Sequence, residues 1–150
     1  MTEPGPTVGQ TTQPADALSL VVERDMPHPP EKIWRALTQG PLLEEWLMKN
    51  DFQPVVGHRF SFRATPVKNW DGIIDCEVLV VEPPSRLSYS WGTLGTKSAV
   101  TWTLTPTQGG THLRMEQTGF RSEQDAAYKG ATYGWRKFIG NLEQVVARID

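Results

Sequence analysis

The chain has 150 residues, enough for one domain that buries most of its apolar surface and too few for two comfortable ones. Fifteen Lys and Arg against seventeen Asp and Glu leave a net charge of -2 and no basic stripe to neutralise a phosphate backbone, which argues against a nucleic-acid partner. The single cysteine, Cys76, allows no internal disulfide, no signal-peptide pattern opens the chain, and no apolar run approaches the roughly 20 residues that cross a bilayer; a cytoplasmic protein with no membrane span is expected.

Residues 1–16, MTEPGPTVGQTTQPAD, hold almost nothing to bury, so a disordered N-terminal tail is expected there and one domain over residues 17–150. From Ala17 the pattern turns to that of a strand with one covered face. Leu18, Leu20 and Val22 alternate with Ser19, Val21 and Glu23, and the strand ends at Met26 before Pro27. Pro30 suits the first turn of a short helix with Ile33, Trp34 and Leu37 on one side, closed by Thr38-Gln39-Gly40. Pro41 opens a second, whose Leu42, Leu43, Trp46 and Leu47 share a face. Neither is long enough to persist alone, so both must pack on something.

After Asn50 the chain alternates for about 70 residues. Phe60 and Phe62 lie on one side of their segment, Ile74, Cys76, Val78 and Val80 on one side of the next, then Leu87, Tyr89 and Trp91, then Val100, Trp102 and Leu104, then Leu113, Met115 and Gln117. Turn signals at Pro54 and Gly57, Asp71-Gly72, Pro83-Pro84, Gly92 and Gly95, and Gly109-Gly110 separate these runs, which predicts about five antiparallel strands with one apolar face. Tyr128, Ala131, Trp135, Phe138, Leu142, Val145 and Ile149 then recur at helical steps, the stripe of one long helix from about residue 123 to 149. The expected fold is α+β: a curved antiparallel sheet wrapped around a long C-terminal helix, with the two short helices capping one end.

This order resembles the helix-grip fold of the SRPBCC (START, Bet v 1-like) superfamily, and within it the family named for homology to the Hsp90 ATPase activator Aha1. The residues that carry the resemblance are Arg24, Pro30 to Thr38, Leu43-Glu44-Glu45-Trp46, Val56-Gly57, the stretch from Gly72 through Pro83-Pro84 to Trp91, and Gly134-Trp135. It covers nearly everything after residue 17, and the sum and order of the motifs carry it. The resemblance implies a hydrophobic cavity between sheet and long helix, used across the superfamily for lipids, hormones and polyketides. It also implies two other roles found within the group: chemistry in the pocket, of aromatase, cyclase or hydrolase type, and contact with a chaperone.

The side chains expected to line such a cavity are Trp34, Trp46, Phe60, Phe62, Tyr89, Trp91, Trp102, Met115, Gln117, Tyr128, Gly134 and Trp135. The same faces describe either an aromatic-lined pocket for a small apolar molecule or a packed core. Gln117 and Tyr89 are polar groups on inward faces, so each needs a partner, whether ligand, water or backbone. Arg24 continues the apolar face of the first strand and is expected to form a structural ion pair. No catalytic residue, cofactor or metal is expected: His28, His58 and His112 lie in unrelated places, Cys76 reads as a small core hydrophobe, and no nucleophile or phosphate motif is present. Ala127, Gly130, Gly134 and Asn141 share one flank of the long helix, where a close approach, an open cavity, or a solvated edge on which Gly134 is merely tolerated would account for the glycines.

Overall fold

The computed structural model describes residues 17–93, 95–121 and 125–150. The tail expected over residues 1–16 lies outside them. Strand β1 (Ala17–Met26) leads into helices α1 (Pro30–Thr38) and α2 (Gly40–Trp46). Six strands follow: β2 (Lys49–Asn50), β3 (Arg59–Arg63), β4 (Ile73–Glu82), β5 (Arg86–Thr93), β6 (Thr96–Thr107) and β7 (Gly110–Arg121). Helix α3 (Asp125–Arg148) completes the chain. Every pairing is antiparallel, in the order β1-β7-β6-β5-β4-β3-β2, so the first strand closes against the last. Among the described residues no helix is long and apolar enough to cross a membrane.

The register stacks the inward residues into transverse rows. One runs Phe60, Cys76, Trp91, Ser98; the next runs His58, Val78, Tyr89, Val100, Gln117, Leu20; a third joins Leu87, Trp102, Met115 and Val22. Two glycines make this geometry possible. At Gly72 φ is +81°, and a Cβ there would fall 2.3 Å from the Ala64 carbonyl oxygen, so only glycine closes the β3–β4 connection. At Gly119 φ is +109° and a Cβ would stand 2.8 Å from the Lys97 carbonyl oxygen, beside the register shift where β1 meets β7.

The short helices are fastened by the aromatic residue that ends α2. The Trp46 indole donates to the Ala36 carbonyl at 2.8 Å, one of the α1 carbonyls that has no partner within its own helix. The same indole meets Trp102 in a T-shaped contact, ring centres 5.6 Å apart, so one side chain ties cap to sheet. Helix α3 lies across the inner face with Trp135, Ile139, Leu142, Val145 and Val146 buried. The buried stripe therefore centres slightly to one side of the sequence pattern, taking in Ile139 and Val146 and leaving Phe138 half-buried. Its C-terminal end is latched to the cap by ion pairing of Arg148 with Glu45 and by the Arg35 guanidinium on the Asp150 carbonyl. Arg24 pairs with Glu143 of α3 at 3.0 Å, a structural ion pair.

Candidate functional site

The inner face carries a continuous set of touching rings. Tyr89 lies 5.6 Å from Phe60, 5.9 Å from Phe62 and 6.2 Å from Phe52, and stacks on Trp91 at 6.5 Å. Trp91 meets Trp135 of α3 at 5.1 Å, and Trp135 meets Trp102 at 5.7 Å. Of the expected lining residues, Trp46, Phe60, Phe62, Tyr89, Trp91, Trp102, Met115, Gln117 and Trp135 come together in this buried set, with Trp91 at 9% the most accessible of them. Trp34 is half-buried at the margin of the core. The side chain of Tyr128 lies outside the described ones. Phe52 belongs to the ring set but was not foreseen, because it stands outside any alternating run. Ser98 was missed as well, although it shares a face with Val100 and Trp102.

Polar atoms inside this set are organised around Gln117. Its carboxamide oxygen accepts from the Trp135 indole at 2.8 Å and its nitrogen donates to the Ser98 hydroxyl at 2.9 Å, which in turn donates to the Trp91 carbonyl at 3.0 Å. Gln117 thus fixes the height of α3 above the sheet through one indole. Trp102 donates to the Tyr89 hydroxyl at 3.0 Å. Burial away from water pushes both the Tyr89 hydroxyl and the Cys76 thiol up, so neither ionises near neutrality. A protonated, enclosed thiol is a core group and a poor nucleophile.

The glycine flank of α3 resolves one of the sequence alternatives. Among the described residues, a Cβ added at Gly134 or at Gly130 would meet nothing within 4 Å, so neither serves a close approach to them. Around the helix Gly134 points to the same side as Phe138 and Val145. Near the C-terminus that side is covered, and Val145 is only 4% exposed. At the level of Gly134 the same side is open and adjoins Trp135.

His58 does not join Gln117 and Tyr89 on one ligand. Its ring stacks on Phe60 at 6.2 Å and its Nε2 lies 2.9 Å from the Asp51 carbonyl oxygen. In the transverse row it is two strands from Tyr89 and four from Gln117, about 10 and 19 Å at normal strand spacing. Among the described residues no group of three or more His, Cys, Asp or Glu is arranged to hold a metal ion. A groove of about 860 Å³ lies where Arg59, Asp75, Glu77, Ser90 and Lys97 approach Trp70 and the β3–β4 connection, and Cys76, Trp91 and Ser98 of the inner row also line it. Its charges are mixed, and the Trp70 indole is already engaged by the Thr93 hydroxyl at 2.8 Å.

Residues 27–147 match the family described as Activator of Hsp90 ATPase homolog 1-like protein, AHSA1, within the SRPBCC superfamily. The chain belongs to this family. Among solved structures, protein MLL2253 from Mesorhizobium loti is 56% identical with a TM-score of 0.82, over 89% of this chain and 99% of that one. Protein BH1534 from Bacillus halodurans is 26% identical with a TM-score of 0.75, over 87% and 99% respectively. DynU16, from the dynemicin biosynthetic locus, shares the fold at 24% identity and a TM-score of 0.71, over 90% of this chain and 48% of its own length. No curated protein matches the chain. In this AHSA1 chain an aromatic inner face lies under α3, with Gly134 at its flank.

Proposed function

We propose that the protein binds a small apolar or aromatic molecule between the inner sheet face and the N-terminal half of α3. The observation that carries this reading is Gly134, next to Trp135 in α3, where an added Cβ would meet nothing within 4 Å among the described residues. A glycine costs a helix about 0.5–1 kcal/mol relative to alanine, and no close neighbour among those residues demands this one. Room kept free next to an aromatic wall suits an apolar occupant. In this reading Gly134, Trp135 and Trp91 make first contact. Trp34, Trp46, Phe60, Phe62, Tyr89, Trp102, Met115 and Gln117 form the wall behind, reached as the rings part. The helix-grip resemblance and the occurrence of the fold in DynU16, from a biosynthetic locus, agree with a small-molecule ligand.

The test is a panel of lipids, sterols and polycyclic aromatics, read by tryptophan emission and by melting. A ligand at 100 times its Kd adds about 2.7 kcal/mol, which raises Tm by roughly 5–10 °C in a chain of this length. Gly134→Phe places a ring in the open space and should abolish the response while far-UV circular dichroism stays native. A panel that moves neither signal, together with capture of a chaperone whose ATPase the protein stimulates, would transfer the function to protein binding.

A further inference from the structure

The Tyr89 hydroxyl is buried to 1% and takes part in one hydrogen bond among the described residues, as acceptor from the Trp102 indole. Its own proton meets no acceptor among them. The indole N–H of Trp91, stacked on the Tyr89 ring, is likewise without a hydrogen bond among the described residues. Trp91 borders the groove, where water can reach it, whereas the Tyr89 hydroxyl is enclosed, and a buried donor without an acceptor is costly in a core. The Tyr89 oxygen serves the wall as acceptor for the Trp102 indole, but that contact leaves the hydroxyl proton unused. Nearby polar groups do not relieve the cost: the Gln117 carboxamide is committed to Trp135 and Ser98, and the Cys76 thiol lies against the Ile74 carbonyl at 3.8 Å.

We propose that the molecule bound beside α3 carries an oxygen acceptor, a carbonyl or ether oxygen on an aromatic frame, which accepts a hydrogen bond from the Tyr89 hydroxyl. This rests on the ligand-binding reading above and narrows it from any apolar molecule to one with a buried acceptor. The hydroxyl is positioned for that role from both sides. Trp102 holds its oxygen at 3.0 Å, which leaves the O–H free to turn about the phenolic bond, while the rings of Phe60 and Phe62 fix the phenol itself. Trp102 in turn touches Trp135, so the Tyr89 hydroxyl lies one ring behind α3.

The experiment compares 2-acetylnaphthalene with 2-ethylnaphthalene, two probes of the same frame that differ by a carbonyl. Because the ketone loses more hydration on entering the core, the readout is the change in preference between parent and Tyr89→Phe, not the preference alone. Loss of one buried hydrogen bond predicts that the variant favours the ketone about tenfold less than the parent does, through weaker ketone binding with the hydrocarbon unchanged. Tyr89→Phe also strands the Trp102 indole, so the double variant Tyr89→Phe/Trp102→Phe removes both polar groups and supplies the comparison if the single variant unfolds. A preference unchanged by either variant assigns the hydroxyl to a buried water and overturns the proposal, while binding of both probes leaves the ligand-binding reading standing. Failure of the parent to bind either probe overturns that reading and this inference together.

Discussion

Replacing Gly134 by alanine tests the site without touching any aromatic ring. A Cβ there meets nothing within 4 Å, so the substitution adds no clash, and the change in stability reduces to helix propensity and unfolded-state entropy. That is a gain of about 0.5–1 kcal/mol, or roughly 1–4 °C in Tm for a domain of this size. Gly140 provides the internal reference. Its Cβ would stand 3.8 Å from Arg24 Nη1, an ordinary contact, so Gly140→Ala should gain a similar amount. Gly119→Ala is the opposite control and should lose stability, since its added carbon runs into the Lys97 carbonyl and its φ of +109° disfavours any side chain. Urea unfolding followed by circular dichroism measures all three, with an unchanged m-value showing that compactness is preserved. If Gly134→Ala destabilises while Gly140→Ala does not, the flank beside Trp135 packs against something and the proposed ligand space is not there.

The remaining predictions concern charges and the thiol. Carboxylates only accept hydrogen bonds, so His112, 2.7 Å from Asp25 and 2.9 Å from Glu23 through its two ring nitrogens, must donate from both and is charged in this arrangement; those two hydrogen bonds raise its pKa above the ordinary 6.5. Its stabilisation is therefore complete below pH 6.5 and fades as pH rises through the raised folded value, so urea midpoints of the parent and of His112→Gln should converge on the alkaline side. A gap that widens with pH would refute this sign. Cys76, enclosed and protonated, should resist a thiol reagent at pH 8 in the folded protein and react once urea unfolds it; rapid labelling of the native state would show the core to be open there. Arg24 and Glu143 keep 39% and 35% of their side chains in solvent, so Glu143→Gln should cost no more than about 1 kcal/mol, and less in 1 M salt.

Much of the fold was legible because one-faced elements have fixed periods. The bounds of β1 and α1, the run of strands and the long helix all follow from alternation or from three- and four-residue steps. Strand β2 was not foreseen, since two residues, Lys49 and Asn50, show no period. Nor was the closure of β1 on β7 visible, because the pairing of Leu20 with Gln117 spans most of the chain. Within the site, alternation assigned Tyr89, Trp102 and Gln117 to the inner face. It was silent on which of them would satisfy one another, because hydrogen bonds such as Trp135 to Gln117 depend on the height of a helix above a sheet. The spacing of Gly130 and Gly134 marked a special flank, and only coordinates distinguish a tight contact from an empty one.

The opening beside Gly134 follows from element lengths rather than from the side chains at that spot. At 1.5 Å per residue α3 is about 36 Å long, whereas α1 and α2 reach only about 14 and 10 Å. The cap is fastened at the far end of α3, through Glu45 to Arg148 and Arg35 to Asp150. Gly134 lies fourteen residues before Arg148, about 21 Å along the helix axis. Even laid parallel to α3, neither short helix extends from that latch to Gly134. The cap therefore buries Val145 and leaves the same side of the helix uncovered one-third of the way from its start, where Trp135 projects toward Trp91 and Trp102. A bulkier residue at 134 would extend into that opening from the helix itself, whereas glycine, unfavourable in a helix, leaves it unfilled, which is the room that the proposed ligand would use.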